Sequence, residues 1–369
     1  MTKKPSKKPS KNPVTKQDFD LNSYIKDKGL DKVLDTKELS WVPLSKAWHD
    51  ALKIPGFPRG YVSLVRGFSN TGKSTAFYEA IAGAQRIGDL PVVIETEGNW
   101  SDEHARDLGV QYEELVDEET GEIKYLPKFI IVTAHELVQM YGNYDYKDSK
   151  EKKDPLRDVP VIEDVIRFIN ETLNDQFEGN LKANLCFVWD SIGTLDCFKS
   201  VMSLVGNNQW NAGAMGGFQN IVNHRIPGSR KVSNPYTNTL IAVQKIWIDN
   251  MNGGGIKHRG GEFMFYNSRL IVHLGGQVAH GTTKLNATAL GQTYQYGVKA
   301  KIKTEKNHVT NVVRNGEIAS VATGFINPTE IEQYKTDNKK MIHEALSVDY
   351  DADISFGEEK GDFDPEKDL

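Results

Sequence analysis

The chain has 369 residues, 38% of them apolar, a formal net charge of -5 and two cysteines. That length buries a sizeable core, as one large or two modest domains, and it excludes a disulfide-stapled scaffold, so Cys186 and Cys197 read as reduced thiols. No apolar run of about 18 residues suits a membrane span and no apolar block marks a leader. A cytoplasmic protein without membrane contact is expected.

Charge is strongly segregated. Residues 1–16 carry Lys3, Lys4, Lys7, Lys8, Lys11 and Lys16 with three prolines and no acid, a basic disordered arm that serves either solubility or non-specific nucleic-acid contact. Residues 41–329 alternate strand and helix patterns, which predicts an α/β core with a mainly parallel twisted sheet flanked by helices. Tyr61–Val65 alternates as a strand and Thr75–Gln85 has helical apolar spacing. Between them Gly67-Phe68-Ser69-Asn70-Thr71-Gly72-Lys73-Ser74 fits GxxxxGK[ST], the phosphate-binding loop. Its backbone N–H groups, at Gly67, Ser69, Asn70, Thr71, Gly72, Lys73, Ser74 and Thr75, are expected to cradle phosphates at a helix N-terminus. Lys73 would reach the outer phosphates and the Ser74 hydroxyl would hold Mg2+, which makes ATP with Mg2+ the expected ligand.

A second apolar run, Pro91–Ile94, enters Glu95-Thr96-Glu97. One of the two carboxylates is expected to face a nucleotide, placed to deprotonate water. The charged stretch Asp145–Asp158 reads as a surface insertion. Next, Leu185–Trp189 is a buried strand ending at Asp190, the candidate for the Mg2+ shell. From Cys197 to Gly261 the only acid is Asp249, against seven Lys and Arg residues, the footprint of a nucleic-acid surface. Two glycine-rich stretches lie there, about 206–231 and 250–261, carrying Trp210, Phe218, Arg225, Arg230, Lys231, Lys257, His258 and Arg259. Flexible loops with cations and aromatic rings track and stack on a single DNA strand. The strand Thr239–Val243 between them ends in Gln244, positioned to sense a terminal phosphate in the crevice of an open sheet. One C-terminal helix is expected over 330–348, then an acidic disordered tail over 349–369.

This order of elements resembles the RecA-type recombinases, and within them the divergent phage members of the UvsX kind, along residues 40–325. Gly67–Ser74 is similar to their Walker A loop, Asp190-Ser191 to Walker B, Val243-Gln244-Lys245-Ile246 to the nucleotide-sensing strand, and Gly260–Tyr266 to the segment closing the second DNA loop. The resemblance implies a RecA-like P-loop NTPase core and places the catalytic glutamate on Glu97. It makes Lys306, in Lys306-Asn307-His308, a cation acting on ATP held by a neighbouring subunit, with residues 17–40 packing on the next subunit. It further implies a homo-oligomeric filament on single-stranded DNA, pairing with duplex DNA in strand exchange, together with a single-strand-binding protein and a loader as partners. DNA-dependent ATP hydrolysis in recombination and repair is the function expected. A hexameric RecA-fold motor (helicase or packaging ATPase) and a recombination mediator that binds nucleotide without turnover are the alternatives.

Overall fold

The computed structural model describes residues 20–29, 35–117, 122–203, 208–249, 255–258, 262–276, 282–350 and 352–360. Six strands form a parallel sheet in the spatial order Ile130–Thr133, Leu90–Glu95, Leu185–Ile192, Thr239–Asp249, Val62–Gly67 and Leu270–Leu274. Their near-continuous apolar runs follow from burial on both faces. Val65, Val93, Val188, Ile241, Val243 and Val272 pack under helix Lys73–Arg86, with Trp48 and Phe57. Residues one step along each strand, Leu64, Ile94, Phe187, Ala242 and Ile271, pack under helix Ile162–Glu178 instead.

Beyond Leu270–Leu274 the sheet becomes antiparallel, through Gln292–Asn307, Asn315–Val321 and Gly324–Ile326. Strand Thr282–Ala289 pairs with Gln292–Asn307 and carries Ser355–Lys360 on its other edge. The described residues therefore form a twelve-stranded sheet of which half the strands make the parallel part. None of the described helices is long and apolar enough to cross a membrane.

Several expectations are corrected. The 330–348 helix is broken at Asn338 into Ile331–Asp337 and Lys339–Ala345. Within the tail expected to be disordered, Ser355–Lys360 is a strand held by Lys299–Glu358 at 2.8 Å and by Phe356 against Tyr296. The Asp145–Asp158 insertion does lie at the surface, anchored by Arg157, which is buried and forms a 2.5 Å ion pair with buried Asp164 at the start of helix Ile162–Glu178. Part of segment 17–40 packs on its own chain, with the Lys37 ammonium donating to Ser229 O and Tyr236 O and to the Thr237 hydroxyl. Helix Leu21–Asp27 buries none of its residues. The basic arm 1–16 lies outside the described residues.

Candidate active site

Strand Val62–Gly67 delivers the chain to the carboxyl edge of the parallel sheet, and helix Lys73–Arg86 leaves from there. The connection demands glycine twice. A Cβ on Gly67 would lie 2.3 Å from Leu274 O, and Gly72 has φ +93° with its Cα facing the Phe325 ring. Thr71 closes the turn by donating to Phe68 O at 2.9 Å, while Asn70 takes φ 55° and is exposed. The first helical N–H groups thus face outward with the helix dipole behind them.

Lys73 lies within this turn, its ammonium 2.5 Å from Phe68 O. Burial pulls it down to about 8, against the opposing pull of Asp190 and Glu97. Ser74 is exposed at the helix start, and Thr75 is buried with its hydroxyl 2.6 Å from the Ser320 hydroxyl. The strand expected to end at Asp190 continues to Ile192, and Asp190 is in register with Glu95; burial and then the Glu97 charge push it up to about 7. Two carboxylates and one ammonium therefore converge, an arrangement suited to a cation and a polyanion.

The Glu95–Glu97 alternative resolves by direction. Glu95 is buried and accepts the backbone N–H groups of Glu97, Gly98 and Asn99 at 2.9, 3.0 and 3.1 Å, so it builds the loop. Glu97 is exposed, accepts from the Ser191 hydroxyl and from Asn99 Nδ2, and carries the charge felt by Lys73 and Asp190. Thr96 between them, unmarked in the sequence reading, is the cross-brace: its hydroxyl accepts from Ser191 N at 3.2 Å and lies 2.8 Å from Thr194 Oγ1. A threonine flanked by two strand-end acids was its only signal.

Gln244 is fully buried at the same edge, beside Gly67 and in register with Arg66. Lys306 is not part of this cluster. It pairs with Ile271, three residues back from the strand end at Leu274, and donates to Phe265 O and Tyr266 O at 3.3 and 2.7 Å. A cavity of about 330 Å³ runs from Asn70–Thr75 to His104 on one side and Tyr294–Val298 and Ser320–Ala322 on the other.

The expected DNA-binding residues scatter. Segment 208–228 is helical, not irregular, and crosses from the carboxyl edge of the sheet to its amino edge. Trp210 stays at the carboxyl edge, where its neighbour Asn211 binds Asp196 and Cys197 and where the Lys199 ammonium lies 4.1 Å from its ring. Phe218 is withdrawn: it is fully buried and stacked 5.4 Å from Trp189, so its ring is not offered to a base. Arg225 donates to Asn170 O, and Arg230 covers Tyr61 at 4.2 Å beside the amino end of its strand. Exposed Lys231 shares that amino edge, bridged to Thr36. In the second stretch the described residues 255–258 form a strand. Strand Thr239–Asp249 runs five residues past Gln244 and pairs antiparallel with Gly255–His258, which contains Lys257 and His258. Arg259 lies outside the described residues.

A mixed α/β fold with a glycine loop between strand and helix at a parallel sheet edge is the class defined so far, and residues 25–125 match the family model of the RecA N-terminal domain. Individual relatives follow. Over 101 residues the chain is 38% identical to Protein RecA of Desulforapulum autotrophicum, covering 26% of this chain and 29% of that protein. It is 42% identical over 74 residues to Protein RecA of Corynebacterium jeikeium, 20% of each, and 38% identical over 80 residues to Protein RecA of Chlorobaculum parvum, 21% of this chain and 23% of that one. The matched part spans less than a third of each of these relatives.

Proposed function

We propose that this chain is an ATP-dependent DNA recombinase of the RecA type, a UvsX-like member, that assembles on single-stranded DNA as a filament and promotes homologous pairing and strand exchange. The observation that carries the reading is the convergence of Lys73, Glu97 and Asp190 around the outward N–H groups of Gly67–Ser74. The phosphates fill the loop, displacing the Lys73 ammonium from Phe68 O onto the outer phosphate oxygens. The nucleoside part takes the 330 Å³ cavity toward His104 and Tyr294. Ser74 and Asp190 fit a magnesium ion, because the Asp190 and Glu97 carboxylates facing one lysine leave negative charge uncompensated. When bound, that ion neutralises charge developing on the phosphates.

Glu97 Oε1, freed from the Ser191 hydroxyl, accepts a proton from the attacking water while Lys73 stabilises the transferred phosphoryl group. The DNA surface is the carboxyl edge of the sheet: Lys199 and Trp210, and the hairpin from Thr239 to His258. Lys306, outside the chain's own loop cluster, exchanges its bonds to Phe265 O and Tyr266 O for a neighbouring subunit's nucleotide on assembly, and a heterologous contact of that kind builds an open helix. Electron microscopy with single-stranded DNA and a non-hydrolysable ATP analogue tests assembly. Helical filaments that require both ligands are expected; closed rings formed without DNA would contradict the recombinase and favour a motor.

A further inference from the structure

At the carboxyl edge three neighbouring strands present a row of buried polar side chains. Arg66 is in register with Gln244 on one side and His273 on the other. Register partners in parallel strands point to the same face. Two residues earlier on each strand, Leu64, Ala242 and Ile271 lie in the core under helix Ile162–Glu178, so the row faces that side. All three members are nearly inaccessible, at 7%, 0% and 1% exposure for Arg66, Gln244 and His273.

A guanidinium in such a place requires a partner. It has one: Arg66 meets both carboxylate oxygens of Glu305 at 2.5 Å. Glu305 reaches it through a β-bulge. Ile271 pairs with Lys306 and Val272 with Thr304, which leaves Glu305 as the extra residue. Bulges re-aim side chains and cluster beside functional sites. Burial pulls the neighbouring His273 below the ordinary imidazole range, against the opposing pull of Gly276 O and the Glu305 carboxylate.

The other face of the guanidinium lies 4.8 Å from the centre of the Phe265 ring. Phe265 belongs to helix Phe263–Asn267, the first described element after the hairpin strand Gly255–His258. Lys306, next to Glu305, grips the same helix by its carbonyls. At the other end of this chain of contacts is Gly67, the residue after Arg66 and the first of the phosphate loop. Gly67 has no room for a side chain, since a Cβ there would lie 2.3 Å from Leu274 O.

We propose that Arg66 is a positioning residue: clamped by Glu305 and stacked on Phe265, it transmits displacement of the phosphate loop to the helix that follows the DNA-binding hairpin, so that triphosphate binding strengthens the grip on single-stranded DNA. The proposal rests on the nucleotide and DNA reading above and names the residues that couple its two ligands. Coupling between two such sites typically changes affinity about 5- to 150-fold.

The test measures affinity for a fluorescent oligo-dT with and without a non-hydrolysable ATP analogue, alongside direct titration of a fluorescent ATP analogue, in wild type, Glu305→Gln and Phe265→Leu. Because Glu305→Gln leaves a buried unpaired charge, the double variant Arg66→Gln/Glu305→Gln is measured with it, and thermal melting confirms folding of each. The expected result is about tenfold tighter DNA binding by wild type when the analogue is present, and a ratio falling toward one in the folded variants while their nucleotide affinity is unchanged. Variants that bind nucleotide and keep the wild-type ratio would overturn the relay and leave the functional reading intact. A wild-type ratio of one, or nucleotide binding unaffected by Lys73→Ala, would overturn the functional reading and the relay with it.

Discussion

At residues 67–74 and at residues 208–231 the backbone leaves the carboxyl edge of the sheet, and the two departures have opposite consequences. The first turns within eight residues, with glycines at 67 and 72, and leaves N–H groups pointing outward. The second crosses the whole sheet as short helical pieces and buries Met215, Phe218, Ile221, Val222 and Ile226 beneath it. A short turn fixed by glycine keeps its polar atoms for a ligand, whereas a crossover with enough apolar side chains spends them on the core. Cations on the two segments therefore have different fates: Lys73 sits among carboxylates, while Arg225 and Arg230 settle on a carbonyl and a tyrosine ring.

The contrast can be broken at its strongest point first. Glu97→Gln should lower ATP turnover by about a hundred- to ten-thousandfold with nucleotide binding retained, as expected for a lost general base, read by steady-state hydrolysis and by titration with a fluorescent nucleotide. Glu95→Gln should act differently, through the loop whose N–H groups it accepts, and weaken binding as well. On the crossover, Phe218→Ala should destabilise the fold by about 3–5 kcal/mol in chemical denaturation, the cost of emptying a packed aromatic site. Its DNA affinity per folded molecule should not change, which separates a core role from a stacking role.

Trp210→Ala is the counterpart. Loss of a ring that stacks on a base should cost about 1–3 kcal/mol in oligo-dT binding and little stability. The smallest effect concerns pH. Asp190 sits at about 7 in the unliganded site and must be deprotonated to hold a cation. Mg2+-nucleotide affinity should therefore rise with pH, about tenfold per unit below that value, and level off above it. Isothermal titration across that range checks the slope, and Asp190→Asn should flatten it.

How much of this was legible in the sequence depended on the distance over which residues cooperate. The glycine loop and Asp190 stand out because each lies within a few positions of a strand end beside one motif, whereas the choice of Glu97 over Glu95 came from the family resemblance and not from the local pattern. Phe218 was misread, although Met215, Phe218, Ile221, Val222 and Ile226 recur at helical spacing. Glycines 213, 216 and 217 obscured that period and gave the stretch the composition of a loop. The Arg66–Glu305 pair had no local signal at all, since 239 positions separate its members and the bulge that joins them depends on strand register. The strand within the acidic tail was hidden for the same reason, because its partner edge exists only after the Thr282–Asn307 hairpin forms.

The central claim is that one site binds and hydrolyses ATP under the control of single-stranded DNA. Measuring ATP hydrolysis with and without single-stranded DNA, with Lys73→Ala as the blank, tests it most directly. The account predicts slow hydrolysis alone, clear stimulation by DNA and no activity in the Lys73→Ala chain. A rate indifferent to DNA, or nucleotide binding with no turnover under any condition, would contradict it.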